Sequence, residues 1–453
     1  MENEGFRMVR RGSDGFGRVL GVLALAALLT APALLAGQTP VGDAMRAVSE
    51  RYVKLVLAVG QHDADYVDAF YGPAEWRKAA ESEKLTLAAI DQQAEALEQD
   101  IAAVTATSPV PRDAELWTLR RHYLIRQLSA LRARVSMLQG KRLTFDEESR
   151  ALYDAVAPTR TEAEFDAVLK QLDARLPGDG TLIERYDRFK QAFVIPTARV
   201  DRVFREAIRA CRDRTLAHVE LPVEERFTVE YVTGKSWSGY NWYQGGYKSL
   251  IQVNTDLPIY IDRAIDLACH EGYPGHHVYN VLLEKHLVRD RGWMEYTVYP
   301  LFSPQSLIAE GTANYGIEVA FSLAERITFE REVLFPLAGL DAKRVQEYYD
   351  VLALVDRLSY AGNEAARRYL DGTIDRAGAV AWLEKYALYT TPRAEQRVKF
   401  IDQYRSYVIN YNLGKDLIRA YLTRKTGKGA SVPKQWAEFA ALLSSPRLPS
   451  GLK

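Results

Sequence analysis

The sequence predicts a mainly α-helical protein with one small antiparallel β-sheet. Apolar residues recur at helical spacing along most of the 453-residue chain, whereas the alternation typical of strands is confined to a short stretch after Leu221. With 47% hydrophobic and 26% charged residues, the composition is that of an ordinary globular protein. We therefore expect a helical bundle-like N-terminal region, residues 41–216, and a second helical region, residues 217–445, that carries the sheet.

Residues 1–36 differ from the rest of the chain. Arg10, Arg11 and Arg18 precede an uncharged run from Val19 to Ala36 that ends in small residues. This pattern is typical of a secretory signal peptide and predicts a periplasmic or secreted protein. Because the run approaches the length that spans a bilayer, an uncleaved anchor is the alternative. Apart from such an anchor, we expect no stable membrane partner.

Charge and cysteine content exclude several classes of protein. The 59 basic residues balance 59 acidic residues, so no net field favours nucleic acid, and none is expected as a partner. Only Cys211 and Cys269 are present, which excludes a disulfide-rich scaffold. Cys269 precedes His270 and can be interpreted as a ligand or nucleophile, although a buried packing residue is the simpler interpretation.

The N-terminal region is predicted to consist of helices separated by turns. Proline-containing breaks at residues 108–111, 157–158 and 176–180 should end successive helices, and Thr161 with Glu164 predicts a capping box. Apolar residues with 3.6-residue spacing mark the last of these helices. They are Val200, Val203, Phe204, Ala207, Ile208 and Cys211. This stripe should face a core.

Beyond Leu221 the hydrophobic period changes to that of strands. Residues 227–231 and 249–253 alternate in character, and the glycine-containing segments 234–239 and 244–246 are typical of turns. These features predict an antiparallel sheet. Helical periodicity resumes at Pro258.

Three of the seven histidines lie in one short segment, His270-Glu271-Gly272-Tyr273-Pro274-Gly275-His276-His277. Imidazole is the commonest ligand of catalytic zinc, which usually has three protein ligands and one open position. In a regular helix, His276 would point about 120° away from His270, and His277 would lie about 10 Å further along the axis. Pro274 and Gly275 must therefore interrupt the helix if two of these imidazoles share an ion. The alternative is an ordinary turn with surface histidines.

A carboxylate further along the chain can supply a third ligand. Glu310 lies in the segment 309–318, which has helical periodicity and follows Ser303-Pro304, a typical N-cap and first helical residue. The stretch between His276 and Glu310 is long enough for one helix to end and a second to return alongside.

Both segments resemble motifs of the bacterial domain of unknown function 885 family. That family carries His-Glu-x-x-Pro-Gly-His-His and a later Glu-Gly-x-Ala-x-Tyr-x-x-Glu, and both stand here in order. The second motif is also similar to the Asn-Glu-Gly-Phe-Ala stretch of gluzincin aminopeptidases, whose glutamate binds zinc. The resemblance extends from about Tyr243 to Tyr421 and includes Tyr411-Asn412-Leu413-Gly414. Thr312 stands where the family usually has Trp, so the resemblance does not predict the shape of the neighbouring pocket.

The resemblance implies a gluzincin-like zinc site in the second region. Its expected ligands are His270, His276 and Glu310, and His277 is the alternative second histidine. If His277 is not a ligand, it can support the site or simply be a satisfied polar residue. Asn314 is a candidate acceptor for the free N–H of a ligand histidine, and plain helix packing is an equal alternative for it. Glu318 can have a similar role, although a solvated carboxylate is the simpler interpretation.

The expected chemistry is hydrolysis by metal-activated water. Glu271 should act as the general base. The resemblance to gluzincins implies that Tyr411 donates to the oxyanion, although it can equally be a packing residue. It also implies that the strand ending at Val253-Asn254 pairs with an extended substrate, which favours peptides.

We therefore expect a secreted zinc metallohydrolase, a peptidase acting on peptide or small amide substrates. One alternative is a catalytically inactive peptide-binding protein with the same fold. Glu271 argues against it, because a structural zinc site gains nothing from an acid that is not a ligand. The other alternative, a zinc esterase or an amidase for non-peptide substrates, is not separated by the sequence.

Overall fold

Helices account for most of the computed structural model, which describes residues 40–104, 110 and 113–453. The predicted mainly α class with a small antiparallel sheet is therefore confirmed. The predicted signal segment, residues 1–36, lies outside the described residues. Among those described, no helix combines the length and apolar character needed to cross a membrane.

The first part of the described chain is helical except for one strand. Its helices are α1 (Pro40–Val59), α2 (Ala74–Glu83), α3 (Leu87–Ala103), α4 (Ala114–Leu138), α5 (Phe145–Tyr153), α6 (Glu162–Arg175), α7 (Leu182–Gln191) and α8 (Val200–Leu216). The capping box at Thr161 and Glu164 is confirmed at the start of α6. The predicted stripe of α8 faces the core, although Ile208 is only partly buried. The strand β1 (Val67–Phe70) was not predicted.

The three-stranded sheet departs from its predicted topology. Its strands are β2 (Arg226–Val232), β3 (Gly239–Gly245) and β4 (Lys248–Asn254), in the order β2-β4-β3. β3 and β4 are antiparallel, but β2 and β4 are parallel, so β4 is the central strand. The reason is that β3, which lies between the two predicted turns, forms an edge of the sheet. β4 therefore lies between β2 and β3. The prediction that Val253-Asn254 offers a free edge is wrong, because both sides of β4 are already paired.

The remaining chain is helical apart from β5 (Val298–Pro300), which pairs antiparallel with β1. Its helices are α9 (Asp262–Leu267), α10 (His276–Leu283), α11 (Pro304–Ala320), α12 (Leu323–Phe329), α13 (Phe335–Ala338), α14 (Val345–Asp356), α15 (Ala361–Leu370), α16 (Arg376–Ala387), α17 (Thr391–Tyr404), α18 (Ile409–Thr426) and α19 (Val432–Leu443). The described residues form one compact unit. The β1–β5 pair joins the two predicted regions.

Candidate metal centre

The histidine segment is an interrupted helix, as predicted. α9 ends at Leu267, a π-helical turn covers Ala268–Gly272, and α10 begins at His276 after Pro274 and Gly275. A Cβ atom at residue 275 would lie 1.9 Å from the carbonyl oxygen of His270, so only glycine allows the chain to double back this closely. The interruption brings the second imidazole back towards the first.

Three predicted ligand residues converge at this interruption. The Nε2 atoms of His270 and His276 are 3.1 Å apart, and they lie 3.3 and 3.7 Å, respectively, from Oε2 of Glu310. One ligand atom from each residue lies within 4.8 Å of the other two. This spacing allows all three atoms to contact a single ion.

Close packing of α11 against α18 sets the position of Glu310. A Cβ atom at Gly311 would lie 2.6 Å from the backbone carbonyl carbon of Gly414, so the two helices touch through their glycines. This contact requires glycine at position 311, directly after Glu310, and at position 414, three residues after Tyr411.

The candidate ligand atoms of these three residues fit a divalent cation. Oε1 of Glu310 accepts a hydrogen bond from the Tyr407 hydroxyl at 2.8 Å, whereas the buried Oε2 has no hydrogen-bond partner among the described residues. A buried carboxylate oxygen without a donor is costly unless a cation satisfies it. Two imidazoles and one carboxylate are also a common ligand set for catalytic zinc.

Contacts among the three converging residues shift the pKa values of Glu310 and His276 strongly. Burial raises the pKa of Glu310, but contacts with His270 and His276 outweigh it and hold the pKa well below the usual value. Burial lowers the pKa of His276, but the carboxylates of Glu310, Glu271 and Asp68 outweigh that effect and raise the pKa to about 9. The residues therefore concentrate negative charge where a cation would sit.

Glu271 lies beside the ligand group under the sheet. Its side chain is buried, and a Cβ atom at Gly239 of β3 would lie 2.8 Å from its Oε1. The Asn241 side chain donates a 2.7 Å hydrogen bond to the Glu271 carbonyl, which ties the π-helical turn to β3. Burial, and to a smaller extent the charge of Glu310, raises the pKa of the Glu271 carboxyl.

His277 does not belong to the ligand group. Its Nδ1 lies 2.8 Å from the Ser249 hydroxyl and its Nε2 lies 3.0 Å from Oε2 of Glu225, and the whole residue is buried. Both ring nitrogens are therefore already occupied. The alternative that placed His277 among the metal ligands is wrong, because the first turn of α10 points consecutive side chains in different directions.

The predicted supporting residues have other contacts. The side-chain nitrogen of Asn314 donates to the backbone carbonyl of Tyr411 at 3.2 Å, and its predicted role as an acceptor for a ligand histidine stays a prediction. Glu318 forms ion pairs with Lys415 and Arg419, at 2.8 and 2.6 Å. Thr312 is buried and donates within its own helix. Asn314 and Glu318 each stabilise contacts between α11 and α18.

Two residues of this neighbourhood were not predicted. Tyr407 precedes α18 and holds Glu310, and Asp68 of β1 accepts a hydrogen bond from the Tyr240 hydroxyl. Burial raises the pKa of Asp68 to about 7, with His276 acting against this rise. Tyr407 is one turn from Tyr411, a weak signal, whereas Asp68 reaches the site only through the unpredicted β1–β5 pair.

A cavity of about 1220 Å³ opens in front of the ligand group. Asp68, Glu271 and Tyr411 line it together with the three converging residues, and β3 and α17 contribute to its walls. This volume accommodates a small organic substrate or a short peptide.

Comparisons with known proteins do not assign the chain to a family. No family model matches it, and no curated protein matches it. A solved structure described as the "putative lipoprotein from Colwellia psychrerythraea" is similar over 83% of this chain and 70% of that chain, with 13% identity and a TM-score of 0.48. At this level the likeness identifies neither a family nor a function. The resemblance to the domain of unknown function 885 family stays a prediction.

Proposed function

We propose that the protein is a zinc-dependent metallohydrolase that cleaves peptides. The observation that carries this proposal is the convergence of His270, His276 and Glu310 at the wall of a large cavity, where one carboxylate oxygen has no donor in the part of the chain that the structure describes. Three protein ligands leave one coordination position for water or substrate, which distinguishes a catalytic zinc site from a structural one.

The three ligand residues would hold the ion, and zinc bound there would supply Lewis acidity towards a carbonyl and acidify a water molecule. Glu271 accepts the proton of the attacking water and then delivers it to the leaving amine. In this reaction a C–O bond forms as the C–N bond breaks. Tyr411 lines the same cavity and is our candidate donor to the developing oxyanion. Tyr407 orients Glu310.

The sheet supports a peptide substrate. β3, an edge strand, lines the cavity through Gly239, Tyr240 and Asn241 and covers Glu271. An extended peptide can add to a free strand edge by backbone hydrogen bonds. This role replaces the one predicted for β4. We further propose that residues 1–36 direct the protein to the periplasm or outside the cell.

The first test measures metal content. Inductively coupled plasma mass spectrometry should find about one zinc ion per chain in purified wild-type protein. The Glu310→Gln and His270→Ala variants should contain no bound zinc. His286→Ala is the matched control, because His286 pairs with Asp290 away from the cavity. Retention of zinc by both site variants would contradict the proposal.

The second test measures turnover. A peptide library should be cleaved by the wild type, whereas Glu271→Gln should keep its zinc and lose cleavage. Turnover of ester and acyl-amide substrates, assayed in parallel, identifies the substrate class. Binding of peptides without cleavage by the wild type would favour the inactive binding protein instead.

A further inference from the structure

The cavity wall formed by α17 carries unneutralised positive charge. Among the described residues, seven lysine and arginine side chains line the cavity: Lys190, Arg263, Arg326, Arg393, Arg397, Lys415 and Arg419. Five of them have an acidic partner within 4.0 Å, such as Asp266 for Arg326 at 2.8 Å. Within the part of the chain that the structure describes, no ion pair involves Arg393 or Arg397.

Both arginines contact aromatic rings instead of carboxylates. They are four residues apart on α17 and so lie on the same helix face. The guanidinium of Arg393 lies 4.6 Å from the ring centre of Tyr389, and that of Arg397 lies 4.7 Å from Phe400 and 5.8 Å from Tyr411. A flat aromatic surface holds a guanidinium in place without using its N–H groups, although Arg393 also donates a hydrogen bond to the Tyr389 hydroxyl.

Neighbouring groups respond to this positive charge. Burial raises the pKa of the Tyr389 phenol, but Arg393, Arg397 and Arg263 outweigh it and lower the pKa. Burial lowers the pKa of Lys190 to about 8, and the charge of Arg393 adds to that effect. This part of the cavity therefore favours an anion.

The positive wall adjoins the metal centre. Tyr411, which contacts Arg397, lies 5.8 Å from Tyr407 between ring centres, and Tyr407 donates to Glu310. Arg397 and the ligand residues thus line the same cavity with these two tyrosines between them, so one substrate can contact both.

We propose that Arg397, with Arg393, binds a carboxylate of the substrate, so that the cavity selects peptides carrying a carboxylate near the cleaved bond. This proposal rests on the proposed function. A planar guanidinium matches a carboxylate with two parallel hydrogen bonds. The carboxylate can come from the C-terminus of the peptide or from an Asp or Glu side chain.

The kinetic test uses one peptide sequence in four forms. These are the free C-terminal acid and the C-terminal amide, each with Glu or Gln beside the cleaved bond. The wild type should cleave one carboxylate form with a kcat/KM about tenfold or more above its neutral counterpart. A preference for the free acid identifies the C-terminus, and a preference for Glu in the amide identifies the side chain. Equal rates for all four forms would overturn the proposal.

Matched variants assign the preference to α17. Arg397→Gln should remove most of the preference by slowing the carboxylate form alone, and Arg397→Lys should restore part of it. Arg419→Gln is the control, because Arg419 lines the same cavity but is neutralised by Glu318 and Asp416. An unchanged preference in Arg397→Gln would assign the recognition elsewhere and overturn this inference.

A binding measurement separates this inference from the proposed function. Glu271→Gln protein should bind the carboxylate form about tenfold more tightly than the neutral form in calorimetry, and adding Arg397→Gln should equalise the two. If the wild type cleaves no peptide but this difference persists, the proposed peptidase is wrong and the carboxylate site stands. If both forms bind equally, or neither binds, the carboxylate site is wrong.

The two cysteines carry a second inference, which starts from a different observation and rests on the proposed export. Cys211 of α8 and Cys269 of the π-helical turn are buried, and their Sγ atoms are 2.7 Å apart. Sulfur atoms this close need little movement to reach the bond length of about 2.05 Å in a disulfide. We infer that an exported chain forms this bond, which would link α8 to the turn that carries His270. Two S–H bonds break and one S–S bond forms, while two electrons and two protons pass to the disulfide of an exchange partner.

Alkylation under denaturing conditions tests this bond. Protein secreted through its own N-terminal segment should show no modified cysteine before reduction and two modified cysteines after it, by intact mass. A Cys211→Ser, Cys269→Ser double variant is the control for non-specific labelling. Two modified cysteines without reduction would overturn the inference.

Discussion

His276 and His277 are consecutive in the chain, but their surroundings differ. His276 faces His270 and Glu310 in an open group that lines the cavity. His277 belongs to a closed group with Ser249 and Glu225, in which both ring nitrogens have protein partners. In the open group, Oε2 of Glu310 has no hydrogen-bond partner among the described residues, whereas the closed group matches donors with acceptors.

The closed group contains a serine, a histidine and a glutamate in contact, the residue types of many hydrolase triads. Its glutamate also accepts hydrogen bonds from Tyr273 and Arg212, each at 2.7 Å. Ser249, His277 and Glu225 are all buried, so no substrate carbonyl can reach the serine hydroxyl. Satisfied partners and burial therefore identify a structural group, whereas an unsatisfied acceptor at a cavity identifies a candidate binding site.

The largest expected effect is on metal affinity. His276→Ala should weaken zinc binding by more than about a hundredfold, because it removes a ligand, whereas His277→Ala should leave the zinc stoichiometry unchanged. Competition with a chromogenic chelator measures both. The reverse pattern would exchange the roles of the two histidines.

Stability should respond in the opposite way. His277→Ala should lower the free energy of unfolding by about 2–4 kcal/mol, because it leaves Ser249 and Glu225 buried with fewer partners. In metal-free protein above about pH 9, where the His276 ring is neutral and its attraction to Glu310 is lost, His276→Ala should cost less than about 1 kcal/mol. Urea unfolding in the presence of a chelator compares the two variants. Equal losses would remove the distinction between open and closed groups.

Gly275 allows the chain turn that separates these two environments. Gly275→Ala should destabilise the protein by about 1–3 kcal/mol and weaken zinc binding, because the added Cβ would collide with the carbonyl of His270. Gly362→Ala is the control, since open space surrounds that position. Thermal unfolding and zinc titration measure the two effects. Normal zinc affinity in Gly275→Ala would show that the ligand positions do not depend on this close approach.

The smallest expected effect is a pH dependence of the closed group. Burial raises the pKa of Glu225, but His277, Tyr273 and Arg212 outweigh it and lower the pKa from 4.5 to about 2. Ionised Glu225 therefore stabilises the fold above about pH 4.5, and this contribution is lost as the pH falls towards about 2. Glu225→Gln should reduce stability by less than about 2 kcal/mol near neutral pH, and the difference should shrink in acid. Urea unfolding over this pH range checks it. A constant difference would contradict the assignment.

The sequence alone determined the features that depend on local chemistry. Apolar periodicity predicted the mainly α class and the core-facing stripe of α8, because a helix places every third or fourth residue on one face. Pro274 and Gly275 predicted the helix interruption, because one removes a backbone donor and the other tolerates a close approach. The convergence of His270, His276 and Glu310 followed from ligand chemistry and motif resemblance.

Only the tertiary structure decided which groups meet across long stretches of chain. It placed Asp68 and Tyr407 beside the ligand residues, β4 in the centre of its sheet, and His277 with Glu225. No local pattern encodes these contacts, because strand order and side-chain partners depend on how distant segments pack. Adjacent histidines thus have the same side-chain chemistry, and the packing around each one decides whether it is open to a ligand or satisfied by the protein.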